Sequence, residues 1–226
     1  MCPLGTDTIA AMGIGYMFSL LQEDPVLYGM IVMTLLVSIT LHELAHGQMA
    51  IWLGDDTPRY LGHMTLNPIV HMGPFSIFAL LFIGIAWGQM PWDPSRARGK
   101  YASALVAAAG PAANLILCLL ATVALGLWWQ FGGVEMTGRA GNGQQFLRVV
   151  AMYNVILFGF NLLPVPPLDG SKILANFNYK YERWAFDPAN QGAVTVLFIL
   201  AFVFGSRLLI GLGTVPLKIA AFIGGV

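Results

Sequence analysis

The sequence predicts an all-α polytopic membrane protein, with about five to six transmembrane helices, a re-entrant segment, and a short strand-like insertion after the second apolar run. Three observations predict this class. Of the 226 residues, 57% are hydrophobic and only 10% charged, whereas soluble domains carry roughly a quarter charged residues. Apolar stretches recur at roughly 9–22, 26–53, 74–90, 102–129, 146–163 and 192–213, and a helical span takes about 20 apolar residues. Finally, two histidines and a glutamate lie inside one of these runs, where hydrocarbon tolerates ionisable groups only with partners.

The first stretch, 9–22, is short and interrupted by Gly13 and Gly15. The N-terminus lacks the basic region of a cleaved signal, so this stretch reads as a retained span. The second, 26–53, is long enough to cross and holds Leu41-His42-Glu43-Leu44-Ala45-His46-Gly47. Residues four apart share a helix face, so His42 and His46 stack about 6 Å apart along the axis. That pitch suits two imidazoles on one zinc ion. Glu43 lies about 100° round from His42 and is placed to act on a metal-activated water without being a ligand.

Residues 55–72 have no helical period, alternate weakly and contain Pro58 and Pro68. They read as one or two short strands or a loop. The stretch 74–90 is marginal as a span and contains Gly84 and Gly88. A basic cluster, Arg96, Arg98 and Lys100, follows it. If 74–90 enters and leaves on one face, that face collects Arg59, Arg96, Arg98, Lys100, Lys172, Lys180 and Arg183, and the opposite face only Arg139 and Arg148. A full crossing would divide the charges less unevenly. The positive-inside rule therefore favours a re-entrant 74–90 and a cytoplasmic location for the face where the histidine helix ends.

The stretch 102–129 is a second full span, 132–145 a glycine-rich loop, and 146–163 a further span. Residues 164–190 look irregular, polar and aromatic. The helix before them is broken by Pro164, Pro166 and Pro167, and irregular backbone at membrane depth is tolerated only inside protein or beside a wet cavity. Asp169 falls in this break, at the expected depth of His42 and His46. Two histidines, a carboxylate and a water make an open tetrahedral site of the catalytic kind. Asn161, a helical turn deeper, is placed to donate to a carbonyl oxygen that gains charge during attack.

These residues carry a family resemblance. The His42–His46 helix, Gly110-Pro111-Ala112-Ala113-Asn114, the Asn161-to-Gly170 stretch with its Pro-x-Pro-x-Leu-Asp-Gly core, and the Leu66-Asn67-Pro68 and His71 neighbourhood together resemble the site-2 proteases. These are zinc intramembrane metalloproteases, and the likeness is to compact bacterial members without PDZ or CBS modules. It covers about residues 26–175. It implies one zinc per chain on His42, His46 and Asp169, with Glu43 as catalytic base and Asn161 assisting the tetrahedral intermediate. It also implies a bacterial inner-membrane protein whose active site lies toward the cytoplasm, in a single domain over 1–226 with peripheral helices at 9–22 and 192–213. The substrate would be a transmembrane protein segment, unwound locally because a helix hides its carbonyls in its own hydrogen bonds.

Other readings fit less well. A membrane zinc transporter carrying the same helix motif needs more spans and a path of polar ligands that is almost empty here. A membrane oxygenase or desaturase uses about eight histidines, and this chain has four. A catalytically dead scaffold would not need Glu43. A formal net charge of zero suggests no nucleic-acid partner. Cys2 and Cys118 read as free thiols. Asn114 reads as an inter-helix hydrogen bonder, and His63 and His71 as structural.

Overall fold

The computed structural model describes residues 16–135, 137–205 and 211–226. Helix α1 spans Tyr16–Glu23 and α2 spans Pro25–Trp52. A helical turn α3 follows at Thr57–Tyr60, then α4 at Pro68–Ile83. Helices α5 (Ala102–Gly132) and α6 (Gly138–Asn161) form an antiparallel pair. Beyond them lie α7 (Asp169–Phe177), α8 (Tyr179–Phe186), α9 (Gln191–Leu200, continued as a π-helix over Ala201–Gly205) and α10 (Val215–Gly224). Among the described residues there is no strand. The helices α2 and α5, with 28 and 31 residues, are long and apolar enough to cross a membrane, and a bent pair over Tyr179–Phe204 makes a third if taken as one span. The protein is an integral membrane protein.

Sequence chemistry accounts for the helix ends. Asp24 caps α2, its carboxylate accepting from the Leu27 N–H at 2.9 Å, with Pro25 in the first turn. Asn67 does the same for α4 through the Ile69 N–H, with Pro68 following. The Leu66-Asn67-Pro68 motif is thus a helix start. The expected strand-like insertion at 55–72 is not seen. Pro58 presets helical φ in α3, Gly62 turns the chain at φ +70°, and the Asn67 cap then begins α4. Two other stretches are more helical than their composition suggested. Helix α6 begins inside the glycine-rich 132–145 stretch, and 164–190 contains both α7 and α8. Residues 9–15 of the first apolar stretch, residues 206–210 of the last, and Cys2 lie outside the described residues.

Helices α2, α5 and α6 form the centre, with α7 and α10 packed on α5. Met17, Leu20, Leu27, Ile31, Leu35, Ile39, Met72, Leu80 and Val149 make one apolar cluster. Small residues permit the closest approaches, since helices in lipid gain from backbone proximity. A Cβ at Gly126, for example, would stand 2.7 Å from Ile223 Cβ and 2.9 Å from the Ala220 carbonyl oxygen.

The segment between α2 and α5 closes on itself. Helix α4 is kinked at Gly73 (φ 68°) beside Pro74 and ends at Gly84 in the left-handed conformation. The chain then turns back extended along α4. The Ser76 hydroxyl donates to the Trp87 carbonyl at 2.7 Å and accepts from the Trp87 N–H at 2.9 Å, and the Gln89 N–H donates to the His71 carbonyl. This returning extended stretch runs in the direction of α2, with Gly88 against Ile39 and Glu43 and Met90 against Gly47. It ends where it began. The Asp93 N–H donates to Asp55 at 2.7 Å and the Arg98 N–H to the Leu53 carbonyl at 2.8 Å. Burial pushes the Asp55 carboxyl up. The Thr57 hydroxyl and the N–H groups of Asp93 and Thr57 outweigh that and hold it below its ordinary value.

Candidate metal centre and active site

One α2 face and the start of α7 meet at the site. His42 and His46 stack with ring centroids 4.6 Å apart and planes at 83°. Asp169 reaches them because the proline break folds the chain back under the end of α6. The Tyr181 hydroxyl donates to the Pro164 carbonyl, and Gly170 lies so close to the Leu162 carbonyl that a Cβ would collide with it. Asp169 then opens α7, where a carboxylate suits the helix N-terminus. All three side chains are buried.

His42 Nε2 and His46 Nε2 are 2.9 Å apart, and Asp169 Oδ2 lies 3.1 Å and 3.3 Å from them. Bonds of about 2.0–2.1 Å to a tetrahedral zinc place ligand atoms about 3.3 Å apart, so the trio is spaced as a zinc site requires. Its chemistry makes the same demand. His46 Nδ1 donates to the Val106 carbonyl at 2.6 Å, and His42 Nδ1 donates to Asn114 Oδ1 at 2.7 Å. With Nδ1 engaged as donor on both rings, the two Nε2 atoms are left facing each other and a carboxylate oxygen. Three potential ligand atoms converge on one point, an arrangement that a cation satisfies. Gly110 leaves the room: a Cβ there would fall on both Nε2 atoms.

Glu43 is buried beside the pair, covered by Gly88 of the returning stretch, where a Cβ would lie 2.6 Å from Glu43 Oε1. Asn161 ends α6 half-buried, and its amide donates to the Leu157 carbonyl one turn back at 3.0 Å. It makes no hydrogen bond to the trio. Neither His63 nor His71 joins the trio. His71 Nε2 donates to the Thr65 carbonyl, and the two rings meet edge to face. Sequence reading passed over Lys172, whose ammonium lies 3.3 Å from Asp169 Oδ1 and leaves Oδ2 to face the histidines. Its spacing of three from Asp169 on a helix was the available signal. Asn114 does bond across helices, but onto His42.

The description "Peptidase family M50" matches residues 30–136 and 135–204. A Bacillus subtilis relative, YwhC, provisionally named a zinc metalloprotease, is 42% identical over 174 residues, covering 75% of this chain and 78% of the relative. The Mycolicibacterium smegmatis protein Rip2, also provisionally named a zinc metalloprotease, is 33% identical over 178 residues, which are 73% of this chain and 63% of Rip2. A zinc metalloprotease of Methanocaldococcus jannaschii is 25% identical over 185 residues, 80% of this chain and 45% of that protein. No solved structure gives a significant match.

Proposed function

This chain belongs to peptidase family M50, the site-2 protease family of intramembrane zinc metalloproteases, and from that premise we propose that His42, His46 and Asp169 hold its catalytic zinc while Glu43 and Asn161 carry the proton and charge chemistry of peptide hydrolysis. The single observation that carries this reading is the convergence of three potential ligand atoms at 2.9–3.3 Å around the space that Gly110 leaves.

Bound zinc supplies a Lewis acid and brings water ionisation toward neutral pH. The rest belongs to the chain. Glu43, whose neighbours exclude bulk water, takes the proton from the attacking water on a carboxylate oxygen and delivers it to the leaving amide nitrogen. The Asn161 amide has a second hydrogen beyond the one given to the Leu157 carbonyl, and this donates to the carbonyl oxygen of the scissile bond as it becomes negative. Lys172 keeps Asp169 oriented through Oδ1.

Substrates are membrane proteins, met in a lipid environment. We assign cleavage to a locally unwound transmembrane segment, since helical carbonyls are otherwise hydrogen-bonded. The active site faces the cytoplasm of a bacterial inner membrane in this reading, supported by the excess of Lys and Arg on the face where α2 ends. The stretch 74–90 is then re-entrant, within a hairpin over residues 68–92, supported by the tying of Asp93 and Arg98 to Asp55 and Leu53. Helices α2, α5 and α6 cross fully, and the other crossings of the expected five to six fall in the flanking stretches. The whole chain 1–226 is one membrane-embedded domain with its core over 26–175.

The metal assignment is tested by zinc content. Asp169→Ala should lose zinc on dialysis at a chelator concentration that leaves the wild type loaded. Equal retention by the two proteins would remove Asp169 from the ligand set.

A further inference from the structure

A chain of buried amides runs from the proposed metal ligand His42 into the middle of the helix bundle. His42 Nδ1 meets Asn114 Oδ1 at 2.7 Å, and Asn114 Nδ2 donates to Asn154 Oδ1 at 3.0 Å. Asn154 Nδ2 donates in turn to Ser38 Oγ and to the Val150 carbonyl, both at 2.9 Å. Asn114 and Asn154 are completely buried, and Ser38 nearly so. The chain stitches α2, α5 and α6 together at the depth of the site. Asn154 makes no hydrogen bond to a ligand or to Glu43.

The direction of every bond in this chain is fixed from its far end. The Val150 carbonyl can only accept, so the Asn154 group facing it must be the NH2. That turns Asn154 Oδ1 toward Asn114. Asn114 must then present its own NH2 to Asn154 and its oxygen to His42. An oxygen accepts, so His42 Nδ1 must hold the ring proton, and Nε2 is left with a lone pair. Reverse Asn154 and each step reverses: Asn114 would donate to Nδ1, and the ring proton would move to Nε2, into the space between His46 and Asp169. His46 needs no such device, because a backbone carbonyl, that of Val106, fixes its tautomer directly.

We propose that Asn154 is a positioning residue for the metal centre, setting the tautomer and ring orientation of His42 through Asn114, with the Val150 carbonyl as the reference acceptor. The inference rests on the reading that His42 holds the metal through Nε2. Outer partners of a ligating histidine are worth about 10–100-fold in metal affinity. Ordinarily such a partner touches the histidine; here the decisive group is one amide further out.

The test compares full-length wild type, Asn154→Leu, Asn154→Asp and His42→Ala for zinc affinity, by competition with a chromophoric chelator in detergent or lipid. It adds the 15N resonances of His42 in the zinc-free wild type, where no metal at Nε2 dictates the tautomer. Asn154→Leu removes the directional group and should weaken zinc by about 10–100-fold. In Asn154→Asp the new carboxyl is buried and stays protonated. Its O–H can donate to Val150 and its C=O can accept from Asn114, so zinc affinity should stay close to wild type. The His42 Nδ1 resonance should carry a directly bonded proton. Wild-type affinity in Asn154→Leu would overturn the proposal. So would equal losses in the Leu and Asp variants, which would mark a packing role alone, or a His42 Nδ1 without a proton. If Asn154→Leu does not fold, the Nδ1 resonance of the wild type decides. Unchanged zinc affinity in His42→Ala would instead bring down the ligand assignment itself.

Discussion

The side chains that do chemistry here are held by others that do none. Two glycines illustrate the constraint. Gly110 keeps open the space between the histidine Nε2 atoms, and Gly88 lets the returning stretch lie against Glu43. Gly110→Val should therefore give a folded chain that retains no zinc, checked by metal analysis against a matched Gly29→Val control. Gly29 is also helical, with open space around it and no positive φ, so that control reports the branched side chain without obstruction of the site. Asn161→Ala should leave zinc bound and slow turnover by about 10²–10³, the usual effect of removing one oxyanion donor. Turnover within a few-fold of wild type would show that its amide serves only to finish α6. At this scale the sequence was readable wherever spacing fixes geometry. The i, i+4 histidines meet on any helix, and an Asp-Gly after a proline break has few places to go. The partners of His42 were not readable in the same way. Asn114 is 72 positions from it, and its contact depends on how three helices pack.

Between residue and fold lies the hairpin of residues 68–92. Its flanks are joined by the Asp93 N–H on Asp55 and the Arg98 N–H on Leu53, and its returning stretch passes over Glu43. Tying the flanks together brings Thr57 and Ser95 to the same end of α2. In a background lacking Cys2 and Cys118, single cysteines at these two positions should be labelled by an impermeant thiol reagent from the same side, the cytoplasmic one. Labelling from opposite sides would require 74–90 to cross, and would also leave Asp169 on the wrong face for the histidines. The charge distribution of the sequence favoured a segment that returns to its own face, which the labelling tests, while the internal structure of 55–72 was misjudged. Weak alternation over 55–72 resembled strand, yet Pro58 and the Asn67-Pro68 start favour helix. The extended stretch that does exist, 85–92, is bonded to α4 and has no neighbouring strand. Glycines at the start of α6 similarly concealed a helix whose buried Gln144 is held by the Trp129 ring N–H and the Gly133 carbonyl.

As a whole molecule, this is a small bundle whose hydrophobic exterior is its interface with lipid. Phe75, Phe78, Ile116, Leu120 and Phe131 are all exposed, a surface that water would not tolerate at this density. Within the bundle, buried polar groups gather around His42, His46, Asp169 and the Asn114–Asn154 pair. This inverts the usual soluble arrangement and marks the interior as the place of function. Composition and the run of apolar segments made the membrane class legible. The number of crossings was harder to read, because 74–90 has nearly the length of a span and α6 has a polar first half.

The most direct test measures two quantities on one preparation: zinc per chain, and cleavage of a reporter transmembrane segment in lipid vesicles, for wild type and Glu43→Gln. Gln nearly matches Glu in shape but cannot accept the proton. Both proteins should carry one zinc, and only the wild type should cut. A Glu43→Gln protein that cleaves at the wild-type rate, or a wild type that cleaves undiminished after its zinc is removed, would contradict a zinc-dependent hydrolysis driven by Glu43.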